Sequence, residues 1–216
     1  MNITKSPTEK TTAVTDILLA VAAAGAIWYL QWLKSAEVWK INTWSWAFGF
    51  IALSGLLGAL AHGLELTEAM RQRIWNLLNL GLGVAVSVFV IGVAYDAWGL
   101  AVASKILPWM VVMAVGFYFI TRIFPGIFFI FIAYEALALF FAWGAYSWLA
   151  LTGQLNGSLI MAVGIFVSII ASSIQATKNV SFKMIFEFDH NGIFHIVQII
   201  GILLLLAGLR LSLQPH

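Results

Sequence analysis

"FDHNGIFHIVQIIGILLLLAGLRLSL", residues 188–213, decides the fold class. From Asn191 to Leu213 the only Lys, Arg, Asp or Glu is Arg210. About 20 apolar residues in a row are enough to carry a helix across a bilayer core. The stretch therefore predicts a membrane-spanning helix over 191–213. Its front end is unusual. Asp189, His190, Asn191 and His195 fall within seven residues, and two of the chain's four histidines are among them.

The same ruler, moved back along the chain, predicts six more spans: about 13–33, 43–63, 74–96, 99–121, 124–148 and 155–177. The separators hold the breakers and charges, as in "LELTEAMRQR" (64–73), "TGQLNG" (152–157) and "KNVSFKMIFEFD" (178–189). The predicted class is an all-α, polytopic integral membrane protein: one seven-helix transmembrane domain over 1–216. The first run follows Lys5 and Lys10 and contains small residues of the signal-peptide kind. It continues through Trp28 and Tyr29 to Leu33, so it is read as a retained helix.

Composition agrees. The chain is 62% hydrophobic and 9% charged, with a mean hydropathy of +0.97. Soluble domains carry about 25% charged residues, so a soluble globule is excluded. The net charge of +2 gives no reason to expect nucleic acid; it suits loops beside anionic lipid, which makes membrane lipid the expected partner. There is no cysteine, so any metal must be held by nitrogen and oxygen.

Seven spans put the termini on opposite sides. Lys5, Lys10, Arg71, Arg73, Arg122, Lys178 and Lys183 fall on the N-terminal side, and Lys34, Lys40, Lys105 and Arg210 on the other. Seven against four predicts a cytoplasmic N-terminus. The same topology gathers polar groups near the N-terminal-side face: Asp16 at the start of span one, His62 at the end of span two, Asn76 and Asn79 early in span three, Ser172, Ser173 and Gln175 late in span six, and His195 one turn into span seven. Asp96 and Lys105 fall near the opposite face, and Glu135 near the middle of span five. Ionisable groups inside spans are costly, so each is a functional candidate. His62 and His195, at one depth with carboxylates nearby, suit a zinc ion with an open coordination position. His190, five residues before His195, joins them only from the turn. Asp189 or Asn191 can equally cap the last helix.

"GALAHG" (58–63), "IWNLLN" (74–79) and "NGIFHIVQIIG" (191–201) together resemble the CREST superfamily of seven-span proteins, which includes alkaline ceramidases, adiponectin-receptor-type and haemolysin-III-like proteins. Its pattern is S-x3-H in span two, aspartate in span three and H-x3-H in span seven. His62 and His195 match the histidines at two of those positions. Gly58 stands for the serine, Asn191 for the other histidine and Asn76 for the aspartate. The resemblance implies an intramembrane zinc-dependent hydrolase of acyl amide or ester lipids, with His62, His195 and His190 as metal ligands. Zinc would activate water, Asp16 or Asp189 would act as base, and Asn76 or Ser173 would donate to the oxyanion.

Other classes compete. A retinal protein needs a lysine in the last span, and residues 191–213 contain none. A bis-histidine haem protein would use His62 and His195 as axial ligands. A transporter or lipid- or ion-binding protein would use Asp16, Glu135 and His62 without covalent chemistry.

Overall fold

The computed structural model describes residues 2–33, 35–124, 128–183 and 185–214. Lys34, counted above among the charges of the opposite face, and residues 125–127, counted in the fifth span, lie outside them. Among the described residues the chain is all-α but for one small hairpin. Seven helices are long and apolar enough to cross a membrane: α1 (Pro7–Trp32), α2 (Val38–Gly63), α3 (Glu68–Trp98), α4 (Leu100–Ile123), α5 (Phe128–Thr152), α6 (Ser158–Thr177) and α7 (His190–Ser212).

Several helices begin well outside the apolar runs because capping chemistry, not hydropathy, sets their starts. Ser6 accepts from the Glu9 N–H at 3.4 Å and Pro7 occupies the first turn. Proline is suited there, since that N–H would have no helical partner. α1 thus starts six residues before the predicted span, and Asp16 lies in its third turn rather than at its start. Thr67 caps α3 in the same manner, accepting from Met70 N–H at 3.4 Å. Gly99 alone separates α3 from α4, at φ +78°, a left-handed conformation that glycine adopts without steric cost.

The helices close into a ring in the order α1, α2, α3, α5, α6, α7, with α7 returning to α1; α4 packs on the outside of α3. α6 and α7 approach closely where both lack side chains. A Cβ built on Gly164 would lie 2.9 Å from the Gly201 carbonyl oxygen. Such small-residue contacts let helix backbones meet. The tightly packed core, with Leu30, Trp44, Phe48, Tyr146, Leu149, Met161 and Leu209, lies toward the end where α1 finishes and α2 begins.

A feature not anticipated from sequence precedes α7. β1 (Phe182–Lys183) and β2 (Glu187–Phe188) pair antiparallel, with a Lys183–Glu187 ion pair. The Thr11 hydroxyl of α1 lies 2.5 Å from the Glu187 carbonyl oxygen. Asp189 then caps α7: its Oδ1 accepts from the Gly192 N–H and from the Thr12 hydroxyl, each at 2.9 Å. Asp189→Ala is expected to cost about 0.5–2 kcal/mol through the lost cap. Thermal unfolding in detergent checks it, and an unchanged midpoint would count against this role for Asp189.

Candidate binding cavity at the polar end of the ring

The ring encloses a cavity of about 500 Å³. Most of its wall is apolar, supplied by residues such as Phe48, Phe89, Leu139, Ile165 and Ile202. Its polar lining falls at the N-terminal-side end, and all six ring helices contribute. α1 gives Asp16, α2 His62, α3 Asn79, α5 Glu135, α6 Gln175, and α7 His190, Asn191, His195 and Gln198.

The arrangement follows from helical periodicity. Glu9, Thr12 and Asp16 share one face of α1; Ser168, Ser172 and Gln175 share one of α6; Asn191, His195 and Gln198 share one of α7. Residues three or four apart stack on the same side of a helix, so each set makes a polar stripe.

His195 is buried and held from both sides. Its Nδ1 lies 3.0 Å from the Thr15 hydroxyl, and its Nε2 lies 3.2 Å from Asp16 Oδ1. The Thr15 hydroxyl has a single hydrogen and donates it to the Thr12 carbonyl at 2.9 Å. With that hydrogen so placed the hydroxyl accepts from Nδ1–H; turned to Nδ1 instead, it leaves the ring hydrogen on Nε2. Nε2 and Asp16 Oδ1 can then bond only through a proton between them. Either Nε2–H donates to the Asp16 carboxylate or a protonated Oδ1 donates to Nε2.

Gly58 explains where the Asp16 carboxyl fits. A Cβ at position 58 would lie 2.6 Å from Asp16 Oδ1 and 2.9 Å from Cγ and Oδ2. The space that a side chain at position 58 would take is filled by Asp16. His62 is held separately: its Nδ1 meets Glu9 Oε2 at 2.7 Å, and its ring stands edge-on to Trp75 at 5.6 Å between centroids.

These pairings bear on zinc. Among the described residues no three His, Asp or Glu side chains stand so as to hold one metal ion. His62 is matched to Glu9 and His195 to Asp16, two by two rather than converging. The donor set as arranged does not fit a three-ligand zinc site.

Other predicted residues divide. Asp16, His62, His190 and His195 do line one cavity. Asp189 lies beside it, occupied as a helix cap. Asn76 is not among the lining residues; Asn79, one turn on, takes that place. Ser173 is exposed and donates to the Ile169 carbonyl at 2.8 Å. One residue is about 100° on a helix, so it is Ser172 that faces inward, donating to Glu135 Oε2 at 2.9 Å. Glu135 is not midway along its helix. α5 starts at Phe128 rather than 124, which leaves Glu135 two turns from the polar end. Thr12, Thr15 and Glu9 were missed as partners. The spacing of Glu9, Thr12 and Asp16 was the available signal.

The opposite end holds a second buried cluster. Lys40 Nζ meets Asp96 Oδ1 at 2.7 Å, and the Tyr146 hydroxyl donates to Asp96 Oδ2 at 2.8 Å. Asp96 thus belongs with Lys40, not with Lys105, which is exposed on α4. Lys40 is accordingly no loop charge.

Fold and site define an all-α protein of seven apolar helices around a part-polar cavity. The chain belongs to a family of unknown function (DUF6962), whose model matches residues 11–214 and so takes in all seven helices apart from the first turn of α1. No curated protein and no solved structure matches it.

Proposed function

We propose that this chain is an integral membrane protein that binds a single-chain amphiphile inside its helical ring, without covalent chemistry. The observation that carries this reading is the cavity itself, apolar along most of its wall and polar at one end. Ligand sites typically enclose about 300–1,000 Å³, mostly apolar with a few polar groups that fix orientation. The outer surface supports the membrane setting. Large apolar side chains cover it, with Phe129 at 75%, Leu137 at 72% and Leu151 at 88% exposure. A water-soluble monomer rarely exposes so much apolar surface. The excess of Lys and Arg on the N-terminal side favours a cytoplasmic N-terminus in a bacterial inner membrane.

Hydrolysis on zinc is the weaker reading because its donors are held in separate pairs. The two readings separate experimentally. Protein extracted in mild detergent should release about one amphiphile per chain on organic extraction, identified by mass spectrometry. Val86, half-buried on α3, lines the cavity, and Val86→Trp should fill it and abolish that ligand while the protein still folds. An empty wild-type protein would count against the proposal. Zinc at one equivalent per chain, retained in the absence of chelator, would return the protein to the hydrolase class.

A further inference from the structure

Among the described residues, four side-chain oxygens that are buried without a hydrogen-bond partner belong to residues lining this cavity: Asp16 Oδ2, Ser54 Oγ, Gln175 Oε1 and Gln198 Oε1. Leaving an acceptor buried and unbonded costs about 1–3 kcal/mol, so orphaned acceptors of this kind mark places where another molecule supplies donors. Asp16 carries the argument. An amide turned end for end would present N–H instead of oxygen, whereas a carboxyl group presents oxygen either way. Moreover Oδ2 accepts in both forms of the Asp16–His195 pair. With the proton on Nε2 it is a carboxylate oxygen. With the proton on Oδ1 it is the carbonyl of the acid. Asp16 is itself only 4% exposed.

Several charged groups at the site are already engaged, Lys178 among them. Asp16 is paired with His195, and His62 with Glu9. Glu135 accepts from Ser172. A charged head group beside Asp16 would find no free counter-charge in the Asp16–His195 and His62–Glu9 pairs, and an unpaired buried charge is expensive. A carboxylate head could not donate to Asp16 Oδ2 at all. A hydroxyl both donates and accepts, so it can satisfy Asp16 and also take a hydrogen from a glutamine amide.

Resting on the amphiphile-binding reading, we infer that the ligand is a single-chain lipid with an uncharged, hydroxyl-bearing head, of the monoacylglycerol or long-chain alcohol class. Its hydroxyls bond Asp16 Oδ2 and the amides of Gln175 and Gln198. Its chain runs along the apolar wall toward Trp44.

Trp44 makes the test direct, because it lines the apolar part of the cavity and bromine quenches tryptophan at contact. Full-length protein in nanodiscs would be titrated with mid-chain-brominated probes that share one chain length. Four heads are compared: monoacylglycerol, fatty acid, alkylamine, and the bare alkane. The difference between wild type and Trp44→Phe isolates the Trp44 signal from that of the other tryptophans. Monoacylglycerol should half-quench Trp44 at about a tenfold lower mole fraction than any other probe, the size expected of one buried hydrogen bond. Asp16→Asn, which preserves shape, should erase most of that preference, and Gln198→Leu should reduce it while leaving the Asp16–His195 pair in place. Equal or better binding of the acid, the amine or the bare alkane overturns the head-group assignment and leaves the amphiphile reading standing. Failure of every probe to quench Trp44 overturns both.

Discussion

Gly58→Ala should destabilise the protein by about 1–3 kcal/mol, the usual cost of forcing a methyl group into filled space. The added carbon would stand 2.6 Å from Asp16 Oδ1, so either the carboxyl or helix α2 must move. If the carboxyl moves, the 3.2 Å contact with His195 Nε2 is lost as well. Amphiphile binding should fall with it, because Asp16 Oδ2 shifts away from the cavity. The cause can be isolated by a double-mutant cycle. In an Asp16→Ala background the space beside position 58 is vacant, so Gly58→Ala or Gly58→Ser should cost much less than in wild type. Residues in contact show such non-additivity; independent ones do not. Thermal unfolding of the four proteins in one detergent measures it. Simple additivity would mean that Gly58 matters for some reason other than room for Asp16.

That contact also shows what could be read from sequence and what could not. The seven helices were legible because spanning length and apolar composition are local properties. Their starts were not, since Ser6 and Thr67 cap helices from outside the apolar runs. Within the site, His62, His195 and Asp16 were correctly brought to one end, because topology alone fixes depth. Facing direction needed the true helix phase: Asn76 and Ser173 have the right depth and the wrong side, whereas Asn79 and Ser172 have both. Pairing was the least legible. Nothing in a linear pattern says that Glu9 takes His62, or that Asp16 occupies the volume left by Gly58. Those are three-body facts of α1, α2 and α7, and they hold the donors in separate pairs.

Removing one partner of the Lys40–Asp96 pair should have the largest effect on stability anywhere in the chain. Both side chains are almost wholly buried, at 4% and 0% exposure. Two charges so placed stabilise little as a pair, because their desolvation offsets most of the attraction. A single survivor is left buried without compensation, at a cost of about 3–5 kcal/mol. Lys40→Met and Asp96→Leu should therefore each be severely destabilising. The double variant should recover most of the loss, since it removes both charges and fills the site with apolar atoms. Tyr146→Phe should cost less, about 0.5–1.5 kcal/mol for one hydrogen bond to Asp96. The cluster joins α2, α3 and α5 at the end opposite the polar lining, so its role is to hold these three cavity walls together rather than to touch the ligand. A folded Asp96→Leu/Lys40→Met protein should accordingly keep the head-group preference of wild type. Loss of that preference in a variant with an unchanged unfolding midpoint would assign the Lys40–Asp96 cluster to the binding site instead.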